Sequence, residues 1–144
     1  MGKKRIIKKE SGSIDQGLKS RALAKVMKRK LQTGVVHIQA TYNNTIVSLT
    51  DTSGDLIVTS SSGALGFKGA KKSTPFAAAK VGELVAEKAQ QVGIQSVRII
   101  ISGVGPGRES ALRSFSSKNI DITNIQDKTP IPHNGVRPKK PRRV

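Results

Sequence analysis

Residues 34–42 (GVVHIQATY) alternate, with Val36, Ile38, Ala40 and Tyr42 on one side and His37, Gln39 and Thr41 on the other. A period of two predicts a half-buried strand. Asn43-Asn44 reads as a turn, and residues 45–50 (TIVSLT) as a second strand. Asp51 to Asp55 forms a hairpin loop in which Gly54 supplies a positive φ. Residues 56–61 (LIVTSS) complete an antiparallel three-strand meander. After a segment rich in glycine and lysine the period changes. Thr74 is placed to cap a helix whose first residue is Pro75. Ala77, Val81, Leu84, Val85, Ala89 and Val92 form one apolar stripe, while Lys80, Glu83, Glu87, Gln90 and Gln91 face away. Gly93 stops that helix. Residues 95–102 form a strand, expected to be central because Ile99, Ile100 and Ile101 run unbroken. A shorter helix over 108–117 ends at Asn119, and 120–126 (IDITNIQ) is the last strand. The order βββαβαβ predicts a single α/β domain, a mixed sheet with two helices, over residues 33–129. A basic N-terminal extension (1–32) precedes it and a basic C-terminal tail (130–144) follows. Residues 1–15 read as disordered when free. Residues 16–31 read as a short basic amphipathic helix, with Leu18, Ala22, Leu23, Val26 and Met27 near one face; so short a helix is marginal alone and is expected to order on RNA or on a partner protein.

This order decides where the cations go. If both strand–helix–strand units are parallel crossovers in one sheet, the loops after strands three and four share the rim at the strands' carboxyl ends. The C-terminal tail leaves from the same rim. That rim gathers Lys68, Lys71, Lys72 and Arg108 with Arg137, Lys139, Lys140, Arg142 and Arg143. It also presents two helix N-termini, whose free N–H groups suit phosphate. The N-terminal extension starts from the opposite rim.

Charge strengthens this picture. The chain has 144 residues, 26 Lys and Arg against 9 Asp and Glu, and a net charge of +17. Residues 1–31 hold 11 basic and 2 acidic residues, and residues 131–144 hold 5 basic and none acidic. The body between is nearly balanced, with 10 basic and 7 acidic. A near-neutral body with two basic arms implies a polyanionic partner, most simply nucleic acid. The plainer reading of the N-terminal arm is a solvated tail or a targeting segment. It is Lys-rich and carries Glu10 and Asp15, which fits an Arg-rich, acid-poor transit peptide badly.

Other chemistries are excluded in turn. No cysteine is present, so disulfides, thiolate metal sites and cysteine nucleophiles are absent. His37 and His133 lie far apart and leave little for a metal, and His37 is expected at the surface. The longest apolar run, Phe76 to Ala79, is four residues, against roughly 20 for a bilayer span. With no apolar stretch behind the basic N-terminus, an intracellular, soluble protein is expected. Gly103-Val-Gly105-Pro-Gly107-Arg108 follows a strand and opens a helix, as a dinucleotide fingerprint does. Its third glycine is one residue early and no Gly-Lys-Ser/Thr follows, so phosphate contact with RNA and a structural turn remain as readings. Asp51, Asp55, Glu83, Glu87, Glu109, Asp121 and Asp127 do not cluster as a metal-dependent nuclease requires. Glu83 and Glu87 share a helix face that reads as solvated. No cofactor and no small-molecule substrate are implied. Of the four aromatics, Phe76 and Phe115 are assigned to the core, leaving Tyr42 and Phe67. Recognition is therefore expected to rest on RNA shape and phosphate rather than base stacking. Asn134-Gly135 in the tail is a candidate for isoaspartate, because glycine leaves the following amide nitrogen free to attack the asparagine side chain.

Five blocks resemble one family: His37 to Val47 (HIQATYNNTIV), Ser62 to Gly69 (SGALGFKG), Lys72 to Ala78 (KSTPFAA), Gly105 to Arg108 (GPGR), and Thr129 to Gly135 (TPIPHNG) followed by Arg137-Pro138. In this order they resemble small-subunit ribosomal protein eleven, over about residues 33–144. The resemblance implies a ribonuclease-H-like fold without catalysis and a seat on the platform of the small subunit. It implies binding to the central domain of small-subunit rRNA near the exit-site mRNA path, beside ribosomal proteins seven, eighteen and twenty-one. Carried over by motif, RNA contact falls on Asn43, Asn44, Lys68, Lys71, Lys72, Thr74, Gly107, Arg108, His133, Asn134 and Arg137, and on Lys139, Lys140, Arg142 and Arg143. Val136 stands where bacterial and plastid members usually have cysteine, and residues 1–32 exceed the usual bacterial arm. The ribosome implied is that of a mitochondrial matrix, from an organelle-encoded member, or of a bacterial cytoplasm. Two rivals stand beside this reading: a free RNA chaperone, and a nuclease of the same fold.

Overall fold

The computed structural model describes residues 30–141. Most of the helix expected over 16–31 lies outside the described residues, as do residues 1–15, Arg142 and Arg143. Five strands form one sheet: β1 (Thr33–Ala40), β2 (Thr45–Thr50), β3 (Leu56–Ser61), β4 (Ser96–Ser102) and β5 (Asp121–Asp127). Two helices, α1 (Pro75–Val92) and α2 (Arg108–Ser117), connect β3 to β4 and β4 to β5. The sheet order is β3-β2-β1-β4-β5. β2 is antiparallel to both neighbours, while β4 and β5 run parallel to β1. This is the mixed α/β sheet with two helices that the chain's pattern predicts. The middle strand is β1, with the isoleucine-rich β4 lying inside the sheet beside it.

Both crossovers move the same way across the sheet, so right-handed connections place both helices on one face. α1 covers β2 and β3, α2 covers β1 and β5, and the helices pack against each other. Val36, Ile38, Val47, Leu49, Val58, Val97 and Ile99 project into this layer and are buried. All six residues of the predicted α1 stripe are buried with them, as is Phe115 of α2. Each fully buried aliphatic or aromatic side chain contributes roughly 1.5–3 kcal/mol. Lys88 is buried on the same side of α1, and desolvation by burial lowers its pKa.

The ends of α1 follow the sequence signals. The Thr74 side chain accepts a hydrogen bond from Ala77 N at 3.3 Å, and Gly93, at φ 95, closes the last turn. Glu83 and Glu87 are not simply solvated. Glu83 pairs with Lys80 at 2.8 Å, and Glu87 reaches Lys118 beyond the end of α2 at 3.2 Å, tying the helices together. β1 also ends earlier than its alternation suggests. Thr41 N donates to Asn44 O at 2.9 Å and the Thr41 hydroxyl donates to the same oxygen at 3.0 Å, closing a turn after Ala40. Tyr42 therefore leaves the apolar face and is 72% exposed.

The other sheet face is uncovered by helices. His37, Gln39, Thr59 and Arg98 are exposed there. The His37 ring lies 3.3 Å from the Thr50 hydroxyl. Partial burial, followed by Lys128 and Arg98, lowers the His37 pKa.

Candidate nucleic-acid interface

With β1, β3, β4 and β5 parallel, their carboxyl ends make one rim. Four segments meet there: the Thr41–Asn44 turn, the β3–α1 segment, the β4–α2 loop and the chain leaving β5. The β3–α1 segment is anchored before it displays its charge. Leu65 and Phe67 are buried, and Phe67 N donates to Ser62 O at 3.2 Å. A single 3₁₀ turn (Gly69–Ser73), which sequence periodicity did not predict, then carries Lys71 and Lys72 in its last residues. Lys68 and Lys71 are exposed and Lys72 is half-buried. Among the described residues no carboxylate pairs with any of the three.

The β4–α2 loop is locked against the β1–β2 turn. Gly105 N donates to Ala40 O at 2.9 Å. Gly107 is buried at the start of α2, where a Cβ would lie 2.5 Å from Thr45 Oγ1 and 2.6 Å from the Ala78 Cβ. The first turn of α1, the start of β2 and the start of α2 therefore converge on one point. Gly107 serves this packing, which leaves no room for a side chain there. Arg108, next along, is held as a clasp. Its guanidinium donates to Gly103 O, to Asp127 and, at 3.2 Å, to the Thr129 hydroxyl. It joins the loop to the start of the C-terminal tail, so phosphate is not its first partner.

The clasp carries a pH signature. The Thr129 hydroxyl, then the Arg108 guanidinium and the Thr129 amide, lower the Asp127 pKa from 3.8 to about 2. A depressed carboxylate pKa gives stability that is present above pH 3.8 and lost as pH falls through the folded value. The Thr129 amide resonance is expected to hold its clasped position at pH 4 and to move as pH falls toward 2. Asp127→Asn should abolish that step. A midpoint at or above 3.8 would show that the carboxylate is not held in this way.

The other expected site residues fall into two groups. Asn43 is exposed at the tip of the turn, whereas Asn44 Oδ1 accepts from Thr45 N at 3.0 Å and helps hold the turn's shape. The Thr74 hydroxyl caps α1 and donates to Lys71 O at 2.7 Å. These two shape the rim. His133, Asn134, Arg137, Lys139 and Lys140 are exposed along the tail, with Asn134 at φ 53. The aromatics correct the sequence expectation. Phe115 is in the core, but Phe67 is buried and Phe76 is 58% exposed. The signal was in the helical phase: Phe76 shares its face with Lys80 and Glu83, four and seven residues on, which the stripe had already turned outward.

Among the described residues no group of His, Cys, Asp and Glu could hold a metal ion, and no helix is long and apolar enough to cross a membrane. Fold and rim together define a small basic α/β domain that presents unpaired lysines, two helix N-termini and a cationic tail at one end. Residues 34–143 match the family model of ribosomal protein S11. The chain belongs to the ribosomal protein S11 family, and is accordingly a structural, RNA-binding protein of the small ribosomal subunit.

Proposed function

We propose that this chain holds the central domain of small-subunit rRNA at the platform, near the exit-site mRNA path. It acts there in subunit assembly and translation without catalysing a reaction. The observation that carries this reading is the gathering of Lys68, Lys71 and Lys72 at the rim from which the cationic tail leaves, with no carboxylate partner for the three among the described residues. Phosphates of RNA segments that would repel one another are neutralised against that rim. Each Lys or Arg that replaces a condensed counterion makes binding steeply salt-dependent. Asn43, Lys68, Lys71, Lys72, His133, Asn134, Arg137, Lys139, Lys140, Arg142 and Arg143 are assigned to direct contact. Asn44, Thr74, Gly107 and Arg108 hold the rim in shape. The body over 33–129 is the RNA-binding domain, with a basic N-terminal extension over 1–32 and a basic C-terminal tail over 130–144. Ribosomal proteins seven, eighteen and twenty-one are assigned as neighbours, in the ribosome of a mitochondrion or a bacterium.

The test is a density gradient of native lysate, probed for this chain at moderate and high salt. Co-migration with the small subunit at both is expected. Migration as free protein, or with mixed RNAs, would move the function to a free RNA chaperone.

A further inference from the structure

The rim carries two aromatic residues that the core leaves largely exposed. Phe76 sits in the first turn of α1, directly after the lysine-bearing 3₁₀ turn, and is 58% exposed. Burying a phenylalanine is favourable, and a residue 58% exposed forgoes much of that gain in free protein. The core does not require it, since Phe67 already fills the space beneath. The ring is nevertheless held in place. It meets Phe67 edge-to-face at 6.1 Å and 84°, and the Lys80 ammonium lies 5.8 Å from its centroid. Lys80 is in turn held by Glu83. Tyr42 is similarly placed: exposed, on a turn whose backbone is fixed by the Thr41 hydroxyl and by Asn44 Oδ1. The two segments adjoin, because Thr45 and Ala78 both close on Gly107.

We propose that Phe76 and Tyr42 are stacking platforms for unpaired nucleobases, so that the rim grips RNA where a base leaves the helix as well as at its phosphates. This rests on the RNA reading of the rim. A nucleobase fits the setting better than an apolar protein surface does. Phe76 follows the lysine-bearing 3₁₀ turn and has Lys80 over its ring, and Tyr42 adjoins Asn43 and Asn44, while Val104 of the β4–α2 loop is also exposed at this rim. The cations around Phe76 — Lys68, Lys71, Lys72 and Lys80 — suit the phosphates on either side of a stacked base. Stacking is tolerant of base identity because every base presents a π-face.

The full chain supplies its own probe, because it contains one tyrosine and no tryptophan. Two RNAs are compared: a short hairpin with an unpaired adenine bulge, and the same hairpin with the bulge closed. Tighter binding of the bulged RNA is expected, with Tyr42 emission quenched after correction for RNA absorbance. Phe76→Leu keeps apolar contact with Phe67 but removes the ring. It should weaken binding of the bulged RNA by about 5- to 150-fold, from the roughly 1–3 kcal/mol per stacked base, and leave the closed hairpin unchanged. Phe76→Tyr should restore the preference, which a merely unfolded variant could not show. Equal loss on both RNAs, or no loss with Tyr42 emission unquenched, overturns the proposal. Tight, salt-sensitive binding of both hairpins without preference overturns the stacking alone. Binding of neither at low salt overturns the RNA reading with it. If Phe76→Leu impairs docking of a neighbouring ribosomal protein while RNA binding stands, the ring is a protein contact and the proposal fails.

Discussion

Gly103→Ala is expected to destabilise the domain by at least about 4 kcal/mol, among the largest single-residue effects in this chain. Gly103 follows β4 at φ 94, where an L side chain is disfavoured by roughly 1–2 kcal/mol. That part is the smaller one. A Cβ at this position would stand 2.1 Å from Ala40 O and 3.0 Å from the Ala40 carbonyl carbon. Both are backbone of the neighbouring parallel strand, so no rotamer relieves the overlap. β1 and β4 must separate at the rim, which strains the hydrogen bond from Gly105 N to Ala40 O and leaves buried groups unpaired at about 1–3 kcal/mol each. Gly54→Ala is the internal control. Its φ is 97, yet nothing lies within 4 Å of the added carbon, so it should show only the conformational part. Urea unfolding of the two variants measures the difference. A loss at position 103 no larger than at position 54 would mean that the close approach of the strands has little energetic weight.

Replacing Lys68, Lys71 and Lys72 together with glutamine is expected to lower affinity for small-subunit rRNA on the order of a hundredfold near physiological salt. Each phosphate neutralised adds about 0.7–0.9 to the slope of log K against log salt. At about 0.15 M that corresponds to roughly four- to fivefold per lysine. Stability should barely change, because the three side chains make no ion pair among the described residues. The slope itself should fall by about 2–3. Lys118→Gln, which removes a cation already paired with Glu87 on the helix layer, is expected to leave the slope unaltered. If the triple variant and Lys118→Gln behaved alike, the rim would not be the face that meets RNA.

Most of the fold was legible because its signals are local. Alternation marked β1, and the turns at Asn43-Asn44 and Asp51 to Asp55 set off β2 and β3. Thr74-Pro75 and Gly93 bracketed α1, and Asn119, at φ 54, closed α2. The rim followed from topology alone, since two right-handed parallel crossovers leave their loops no other place. What stayed hidden depends on neighbours distant in sequence. Arg108 meets Asp127 and Thr129, which are 19 and 21 residues away, only because β5 lies beside β4. As a motif residue it reads as a phosphate ligand; in the fold it is already engaged by a carboxylate and a hydroxyl. Gly107 likewise reads as backbone open to RNA until Thr45 and Ala78 are seen to close over it. Lys88 falls on the buried side of α1, which no pattern of apolar letters can announce. The exchange of roles between Phe67 and Phe76 had a signal in helical phase, but the habit of burying phenylalanine outweighed it.

Placing both helices on one face has a consequence for how the molecule turns in solution. Every helix in the described body begins at the rim that holds the lysines and ends toward the other. The opposite rim carries Asp51 and Asp55 in the β2–β3 loop and Asp121 at the start of β5, beside the partly negative carboxyl end of α1. The described body is thus an electric dipole along its strand axis. A polyanion nearby exerts a torque on that body that turns its lysine end forward, while the basic extension that joins β1 at the opposite rim pulls the other way. Added salt shortens the range of both effects, so the balance between the two ends shifts with ionic strength along with the strength of the grip.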